Sequence, residues 1–409
     1  MTGPLRVVHV ITRMILGGAQ ENTLLTLEGL HRDRRFRVRL VTGPAVGPEG
    51  SLLERAHAAG LEVEIVDRLC REIRPRDDAE ALARLVLSLR RTRPHLVHTH
   101  SAKAGILGRI AARLARVPVV VHTVHGLSFH PYQPRRLRAA YILAERMVAP
   151  LTDEWICVAE AMREQSLAAG IGVPARYVTI PSGMELEPFL AASDRRGPVR
   201  AELGYAPGVF VFAKVARLFE LKGHELLLPA FREVAAGFPQ ARLLLIGDGI
   251  LRAELAASTV RLGIADRVRF AGLVPPERIP ELLHAADAVV HASLREGLAR
   301  VLPQGLLCGR PVVAFDVDGA REVIRTGQTG FLVPPGDVTG LSAAMRAILT
   351  DPEGARRMAE IGRAEVRARF AAPAMVAAIA ERYRILAARR IPARDCESRS
   401  PSGGLQPIP

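Results

Sequence analysis

The segment between Glu296 and Gln304, E-G-L-A-R-V-L-P-Q, holds the residues of this sequence best placed to do chemistry. The pattern predicts a strand that ends near Ser293, a turn at Glu296, and a short helix that begins near Pro303. A carboxylate at such a turn can hold sugar hydroxyls, and the backbone amides of residues 298–301 would be open to an anion. The amide of Gln304 could bind a ribose diol. The alternatives are a helix-capping glutamate and an ordinary surface glutamine.

Two cations, Arg217 and Lys222, stand five residues apart in A-R-L-F-E-L-K-G, where a predicted strand passes into a helix. If they converge there, the planar guanidinium of the arginine and the compact ammonium of the lysine could neutralise a diphosphate. The chain has only three lysines, and Lys214 and Lys222 both lie in this neighbourhood. The alternative is a pair of solvated surface charges.

Two glycine turns also follow predicted strands. Gly17 and Gly18 lie in G-G-A-Q, just before a helical pattern, where a phosphate or a sugar hydroxyl could approach the backbone. Taken alone, that pair is better explained as a tight strand–helix turn, and the spacing matches neither dinucleotide-binding nor NTPase patterns. In I-G-D-G, Gly247 could line a ligand site, whereas Asp248 is better interpreted as a helix cap.

Six histidines fall within a short stretch of the sequence: His95, His98, His100, His122, His125 and His130. Imidazole is a common metal ligand, but no acidic residue or cysteine accompanies them at ligand spacing, so a metal site is not expected. We expect a polar wall of a ligand cleft instead. His125, just before a glycine in H-T-V-H-G, is the best candidate to bind substrate.

The elements that must position these residues are short strands rich in Val, Ile and Leu, which alternate with amphipathic helical segments such as Gln20–Leu30, Ala79–Arg91 and Lys103–Arg116. This alternation predicts βαβ units and parallel sheets buried on both faces. The pattern starts again after a segment rich in Ser, Asp, Gly, Pro and Arg, Ala191–Pro207, which is typical of a linker. We therefore predict an α/β protein with two doubly wound, Rossmann-like domains that face a central cleft, where ligands of such folds bind.

The predicted boundaries follow from this repetition. Residues 1–190 form an N-terminal domain, and residues 191–370 form a C-terminal domain. Residues 371–390 form a helix expected to pack back on the N-terminal domain. Residues 391–409 are too poor in apolar side chains to fold alone and are expected to be disordered.

Composition narrows the classes of partner and compartment. The net charge of +14, from 56 basic and 42 acidic residues, is shared evenly between the two halves and predicts no partner by itself. Aromatic residues make up 4%, too few for the stacking platforms of nucleic-acid binding, which is therefore disfavoured. Four widely spaced cysteines indicate neither disulfides nor a zinc site. With no apolar run of about 18 residues, we expect a cytoplasmic protein.

Six motifs, in order along the chain, resemble those of the family-4 retaining glycosyltransferases, which have the GT-B fold and use nucleotide-sugar donors. They are G-G-A-Q, H-T-V-H-G, P-S-G-M-E-L-E-P-F, A-R-L-F-E-L-K-G, I-G-D-G-I-L-R and S-L-R-E-G-L-A-R-V-L-P-Q. The likeness covers roughly residues 5 to 385. It implies a hexosyltransferase of cell-surface polysaccharide or glycolipid synthesis, with a glycan or lipid-linked acceptor. It also implies that the N-terminal domain lies on the acceptor side and that the C-terminal domain binds the nucleotide-sugar donor.

The resemblance also implies residue roles. Glu296, the first Glu of the family's E-x7-E motif, would contact the transferred sugar, and His125 would lie near the reacting sugar, so both are the expected catalytic residues. The residues expected to bind the donor are Gly17, Gly18, Arg217, Lys222, Gly247, Leu298, Ala299, Arg300 and Gln304. Gln304 replaces the family's second Glu, and we expect donor binding to be retained because Gln can still donate and accept hydrogen bonds.

Three further expectations follow. No metal cofactor is needed if Arg217 and Lys222 neutralise the diphosphate, so the nucleotide sugar is a co-substrate only. Arg135, Arg136 and Arg138 could rest on the anionic inner face of a membrane. The alternatives are another GT-B enzyme, a sugar phosphorylase or a nucleotide-sugar epimerase, and a non-catalytic nucleotide-sugar-binding protein, which Gln304 suggests.

Overall fold

The computed structural model describes residues 3–47 and 50–391, and its first sheet contains seven strands. The strands are β1 (Leu5–Arg13), β2 (Phe36–Gly43), β3 (Glu62–Ile65), β4 (Leu96–His100), β5 (Val119–Val124), β6 (Glu154–Cys157) and β7 (Tyr177–Thr179). Six helices alternate with them, α1 (Gly18–Arg32), α2 (Leu53–Ala58), α3 (Pro75–Thr92), α4 (Ala102–Leu114), α5 (Arg135–Val148) and α6 (Glu160–Ala168). The strand order is β3-β2-β1-β4-β5-β6-β7.

The second sheet has six strands in the order β10-β9-β8-β11-β12-β13. They are β8 (Phe210–Val215), β9 (Ala241–Ile246), β10 (Val268–Gly272), β11 (Ala288–His291), β12 (Val312–Phe315) and β13 (Phe331–Val333). The remaining helices are α7 (Glu187–Ala191), α8 (Arg196–Glu202), α9 (His224–Gly237), α10 (Arg252–Arg261), α11 (Arg278–Ala285), α12 (Val301–Leu307), α13 (Val338–Thr350), α14 (Pro352–Arg369) and α15 (Ala372–Arg390).

The central strands β1, β4 and β5 are buried along nearly their whole length rather than at alternate positions, as expected for parallel sheets that helices cover on both faces. All of β5 and β12 is buried, and so is all of β11, including its polar last residue, His291. In the second sheet the core packs Phe212, Leu243 and Val290 of the strands under α9 and α13. The prediction of two doubly wound parallel sheets is confirmed.

The chain divides into two compact units that are interleaved along the sequence. The first contains the described residues up to 123, residues 144–155 and residues 376–391; the second contains residues 124–143 and 156–375. Because of this interleaving, the domain boundaries at residues 190 and 370 stay predictions. The predicted disordered tail, residues 391–409, lies outside the described residues apart from Ile391.

The predicted linker Ala191–Pro207 is wrong as an irregular segment, because most of it is helical. In α8, Arg196 and Arg200 form ion pairs with Asp287, at 2.5 and 3.1 Å. Asp287 also accepts a hydrogen bond from the amide of Val211 at 2.8 Å, and Val199 is fully buried. Composition alone suggested a linker, but a carboxylate far away in sequence fixes this segment.

None of the helices in residues 3–47 and 50–391 combines the length and the hydropathy required to cross a membrane.

Candidate active site

The site residues of the second unit follow the strands on either side of one position in the second sheet. The chain runs outward from β8 to β10 on one side and from β11 to β13 on the other, so the strand order reverses between β8 and β11. In open parallel sheets, ligands bind beyond the carboxyl ends of the strands at such a switch point. Arg217 and Lys222 follow β8, and Glu296 follows β11. A hydrogen bond from Leu294 N to Leu221 O, 2.9 Å long, joins the two loops.

Glu296 lies at the centre of a charged cluster. Its Oε1 is 2.6 Å from Lys222 Nζ and 3.2 Å from His291 Nε2, and the carboxylate is mostly withdrawn from solvent. Lys222 is thus not a solvated surface charge, and Glu296 does not cap a helix. The sequence predicted that Lys222 binds a diphosphate together with Arg217. The structure adds that the carboxylate of Glu296 holds the ammonium of Lys222 in place.

Opposing forces set the ionisation of Glu296. Burial alone would raise the pKa of its carboxyl, but the charge of Lys222 and the hydrogen bond from His291 outweigh burial and hold this pKa well below its usual range. Burial also lowers the pKa of His291, so this imidazole is neutral at neutral pH. A neutral imidazole that donates from Nε2 leaves its Nδ1 as an acceptor. Glu296 is therefore a fixed carboxylate rather than a proton donor.

Asp318, which sequence reasoning missed, fixes the backbone of Glu296. Its Oδ2 accepts a hydrogen bond from Glu296 N at 2.7 Å, and its Oδ1 accepts one from Gln165 Nε2 at 2.9 Å. Asp318 adopts a left-handed backbone conformation, with φ at +48°, which residues other than glycine rarely adopt. The available signal was the segment D-V-D-G directly after β12.

His125 and Gly297 meet through their backbones. A Cβ atom on Gly297 would lie 1.9 Å from the carbonyl oxygen of His125, so only glycine fits at position 297. The guanidinium of Arg295 also donates to the carbonyl oxygen of Leu127. The turn at His125 and Gly126 and the E-G turn, predicted separately, are therefore adjacent in the second unit. His125 is half-buried, and desolvation lowers its pKa to about 3.

The loops after β8 and β9 pack closely at Gly247. This residue has φ at +132°, and a Cβ atom there would lie 2.2 Å from Ala216 O. The interpretation of Asp248 as a helix cap is wrong, because α10 begins only at Arg252; Asp248 Oδ1 instead accepts from Gly249 N at 2.8 Å. Arg217 is exposed, with its guanidinium carbon 5.0 Å from the ring centroid of Phe219.

The short helix α12 begins two residues before the predicted start at Pro303. Leu298 and Ala299 are buried in the turn that leads to it, and Arg300 is half-buried. Gln304 is half-buried within the helix, where its backbone N donates to Arg300 O at 3.1 Å. Gly17 and Gly18 belong to the first unit, where Gly17 immediately precedes α1.

The prediction of a polar cleft wall is wrong for His98, His100 and His122, which are buried in the first unit. His98 Nδ1 lies 2.5 Å from the hydroxyl of Tyr383 in α15, and its Nε2 lies 2.6 Å from Thr123 Oγ1. His122 bonds to Thr99 in the same way, at 2.8 Å. His98 thus contacts α15, and His122 lies against Gly105 of α4, so neither ring stands at an open strand end.

A buried group of three imidazoles, His9, His98 and His100, arises because β1 and β4 are neighbours. Their nitrogens lie within 4.8 Å of one another, and such nitrogens suit transition-metal ions. However, His9 Nδ1 and His100 Nε2 are already 2.9 Å apart in a hydrogen bond, and Tyr383 is 3.2 Å from His9 Nε2. A metal ion would have to replace these bonds. The expectation that no metal is needed stays a prediction.

Comparison with known families identifies the protein class. Residues 16–188 match the sequence model described as Glycosyltransferase Family 4, and residues 198–365 match the one described as Glycosyl transferases group 1. The chain is a family-4 glycosyltransferase.

Relatives and solved structures agree with this assignment. The glycosyltransferase is 29% identical over 350 residues to the UDP-Gal:alpha-D-GlcNAc-diphosphoundecaprenol alpha-1,3-galactosyltransferase of Escherichia coli, covering 85% of this chain and 88% of that one. It is 32% identical over 285 residues to the D-inositol 3-phosphate glycosyltransferase of Nocardia farcinica, covering 64% and 60%. The crystal structure of Anabaena HepE with UDP-glucose matches 93% of this chain and all of that chain, at 25% identity and a TM-score of 0.79.

The fold of this glycosyltransferase is thus of the GT-B type, as predicted. The second unit brings together Lys222, Glu296 and the His125 turn. The roles assigned to individual residues by the family resemblance stay predictions, and so do the donor contacts of Gly17, Gly18, Leu298, Ala299, Arg300 and Gln304.

Proposed function

We propose that this glycosyltransferase transfers a hexose from a UDP-sugar to a lipid-linked or glycan acceptor, with retention of anomeric configuration, in cell-surface polysaccharide or glycolipid synthesis. The observation that carries the proposal is the Lys222–Glu296–His291 cluster at the switch point of the second sheet. The Escherichia coli relative is named for a UDP-Gal donor and a diphosphoundecaprenol acceptor, and HepE was crystallised with UDP and with UDP-glucose.

The cluster suits the charge changes of this reaction. When the bond between the anomeric carbon and the β-phosphate oxygen breaks, negative charge grows on the diphosphate and positive charge on the sugar. Lys222 and Arg217 would stabilise the leaving diphosphate, and the fixed carboxylate of Glu296 would hold the sugar hydroxyls. The acceptor oxygen bonds to the anomeric carbon, and its proton goes to the departing phosphate. These cations would supply the charge that a divalent metal supplies elsewhere, so we expect no metal requirement.

An exposed face of α5 supports a membrane-bound acceptor. Arg136, Leu143 and Met147 fall on one side of this helix, and Leu143 and Met147 are 58% and 71% exposed. Arg135 and Arg138 are exposed beside them. Basic and apolar side chains together are typical of helices that lie on an anionic membrane. We therefore propose peripheral contact with the cytoplasmic face of the membrane.

Nucleotide binding gives the first test. Thermal shifts would be measured with UDP, GDP, ADP and CDP for the wild-type protein, for Lys222→Ala and for a matched control, Lys103→Ala. Lys103 pairs with Asp78 in the first unit. We expect UDP alone to raise the melting temperature, and Lys222→Ala alone to abolish the shift. A shift with another nucleotide, or an equal shift in Lys222→Ala, would contradict the proposed donor site.

Transfer gives the second test. Incubation with UDP-hexoses and a short-chain lipid-diphosphate sugar should yield a product whose anomeric proton coupling matches that of the donor. We expect Lys222→Ala to lower kcat/KM by about 100- to 1000-fold. An inverted product would rule out retention while leaving the donor assignment intact.

A further inference from the structure

A group of buried polar atoms without partners lies behind the Lys222–Glu296 pair. Among the residues that the structure describes, Lys214 Nζ, His224 Nδ1 and His291 Nδ1 are buried and have no hydrogen-bond partner. Lys214 is fully buried, and His224 and His291 are nearly so. Buried polar groups almost always have a hydrogen-bond partner, so three buried atoms without one in the same region require an explanation.

The two histidines present lone pairs rather than protons to this neighbourhood. His224 Nε2 faces the carbonyl oxygen of Arg217 at 3.1 Å, and His291 Nε2 faces the carboxylate of Glu296. Both partners only accept hydrogen bonds, so each Nε2 carries the proton and each Nδ1 is an acceptor. Both rings interact electrostatically with Lys214. The rings around Lys214 can thus accept hydrogen bonds from an ammonium group but offer none to it through Nδ1.

Lys214 lies near the carboxyl end of β8, where it pairs in register with Leu245 of β9. The charged and titratable groups that interact with it come from the start of α9 and from the end of β11 and the loop after it: Lys222, His224, Glu225, His291 and Glu296. Lys222 repels a second positive charge, and its partner Glu296 is already engaged. An ammonium group buried without a partner beside another cation is unfavourable, so Lys214 in the free protein loses its proton more readily than an exposed lysine does.

We propose that Lys214 is a positioning residue of the donor site that is only partly protonated in the free enzyme near neutral pH and takes up a proton when a nucleoside diphosphate binds beside Lys222. The inference rests on the proposed function, since it requires a diphosphate at Lys222. The incoming negative charge removes the electrostatic reason for the neutral amine. The new ammonium then adds a second positive charge that acts together with Lys222 on the diphosphate, and the two histidine rings with which it interacts each keep an unpaired Nδ1 acceptor.

The ionisation of Lys214 in the free protein agrees with this proposal. Burial, with the charge of Lys222, lowers its pKa from 10.5 to about 7. If binding raises the pKa, then binding takes up a proton. Affinity for the nucleotide is then constant below about pH 7, and it decreases as the pH rises from the pKa of the free state to that of the complex. An upward shift of about one unit would make binding about tenfold weaker at high pH.

The scarcity of lysine makes a direct measurement possible. Protein labelled with ¹³C only at lysine gives three Cε signals, from Lys103, Lys214 and Lys222, which are assigned by the loss of one signal in each of Lys103→Met, Lys214→Met and Lys222→Met. The three signals are titrated by NMR from pH 6.5 to 10, without and with saturating UDP. Methionine fits a buried strand position, so Lys214→Met should keep the fold.

We expect the Lys214 signal to titrate near pH 7 in the free protein and at least about one unit higher with UDP, while Lys103 does not respond. The affinity for UDP in Lys214→Met should lose the pH dependence between 7 and 9 that wild type and Lys103→Met retain. If UDP moves the Lys222 signal and leaves the titration of Lys214 unchanged, this inference is wrong and the donor site stands. If UDP moves none of the three signals, the proposed donor fails and the inference fails with it.

Discussion

At the scale of single residues, the site depends on close backbone approaches as much as on charge. Gly297 follows Glu296 directly and touches the carbonyl oxygen of His125, and its own carbonyl accepts from Gly319 N at 3.0 Å. Asp318 holds the amide of Glu296 from the other side. The carboxylate is therefore positioned by a loop that has no room to shift.

Gly297→Ala should lower kcat/KM about 100-fold, because a displacement of Glu296 by about 1 Å is enough to misplace the reacting sugar. The measurement is steady-state transfer with the UDP-hexose donor. The matched control is Gly237→Ala at the end of α9, where an added Cβ meets no atom within 4 Å. Equal activity in the two variants would show that the contact between Gly297 and His125 does not position Glu296.

The sequence alone reached Glu296, Lys222 and His125 because each stands where a predicted strand ends, next to a glycine. It named Lys214 only as a neighbour of Lys222, and it assigned no role to Lys214, His291 or Asp318. Lys214 and His291 lie inside strands, where apolar neighbours predict only a core. Asp318 acts through the backbone amide of a residue 22 positions earlier, and no local pattern records such a bond.

At the scale of elements, the strands and most helices follow from hydrophobic periodicity, whereas their long-range partners do not. The sequence predicted helices over Gln20–Leu30, Ala79–Arg91 and Lys103–Arg116, and α1, α3 and α4 occupy nearly the same positions. The segment of α8 was missed because its stability comes from Asp287, about 90 residues away. The role of Tyr383 in α15 was missed for the same reason.

The exposed face of α5 should bind anionic membranes. In a double variant, Leu143→Asp with Met147→Asp, binding to vesicles that contain phosphatidylglycerol should weaken about tenfold or more. The two changes remove apolar area from this face and add negative charge to it. Co-sedimentation measures the effect. Val260→Asp, an equally exposed apolar position on α10, is the control and should bind as wild type does. Undiminished binding of the double variant would assign the contact to another surface.

Tyr383→Phe should lower the free energy of unfolding by about 1–3 kcal/mol, because it leaves nitrogens of His98 and His9 buried without their hydroxyl partner. Urea denaturation followed by circular dichroism gives the value. Tyr132→Phe removes an exposed hydroxyl and should change the free energy little. A neutral result for Tyr383→Phe would mean that the hydroxyl contributes no net stability to the docking of α15.

At the scale of the whole molecule, each compact unit buries an imidazole that resists protonation. Desolvation lowers the pKa of His9 in the first unit and of His224 in the second unit to about 3. In the unfolded chain both titrate near 6.5, so below that pH the unfolded state binds more protons than the folded state. The contribution of these two neutral imidazoles to the free energy of unfolding is therefore fully present above pH 6.5, and it is lost as the pH falls from 6.5 towards 3.

We expect the free energy of unfolding to fall by roughly 1.4 kcal/mol per pH unit for each of these two histidines between pH 6 and 4. Urea denaturation at several pH values measures the slope, which should be the same in His57→Asn, where the histidine is exposed. Constant stability between pH 6 and 4 would show that both rings gain solvent or a charged partner in solution.

The bond between His98 and Tyr383 joins residues 285 positions apart. During synthesis at about 5–20 residues per second, the ribosome delivers Tyr383 roughly 15 to 60 s after His98. Throughout that interval the nascent first unit exposes its imidazoles and the surface that α15 will cover. Premature termination between β13 and α15 would leave that surface permanently open, so such truncated chains should be substrates for chaperones and proteases even though every strand of both sheets has been made.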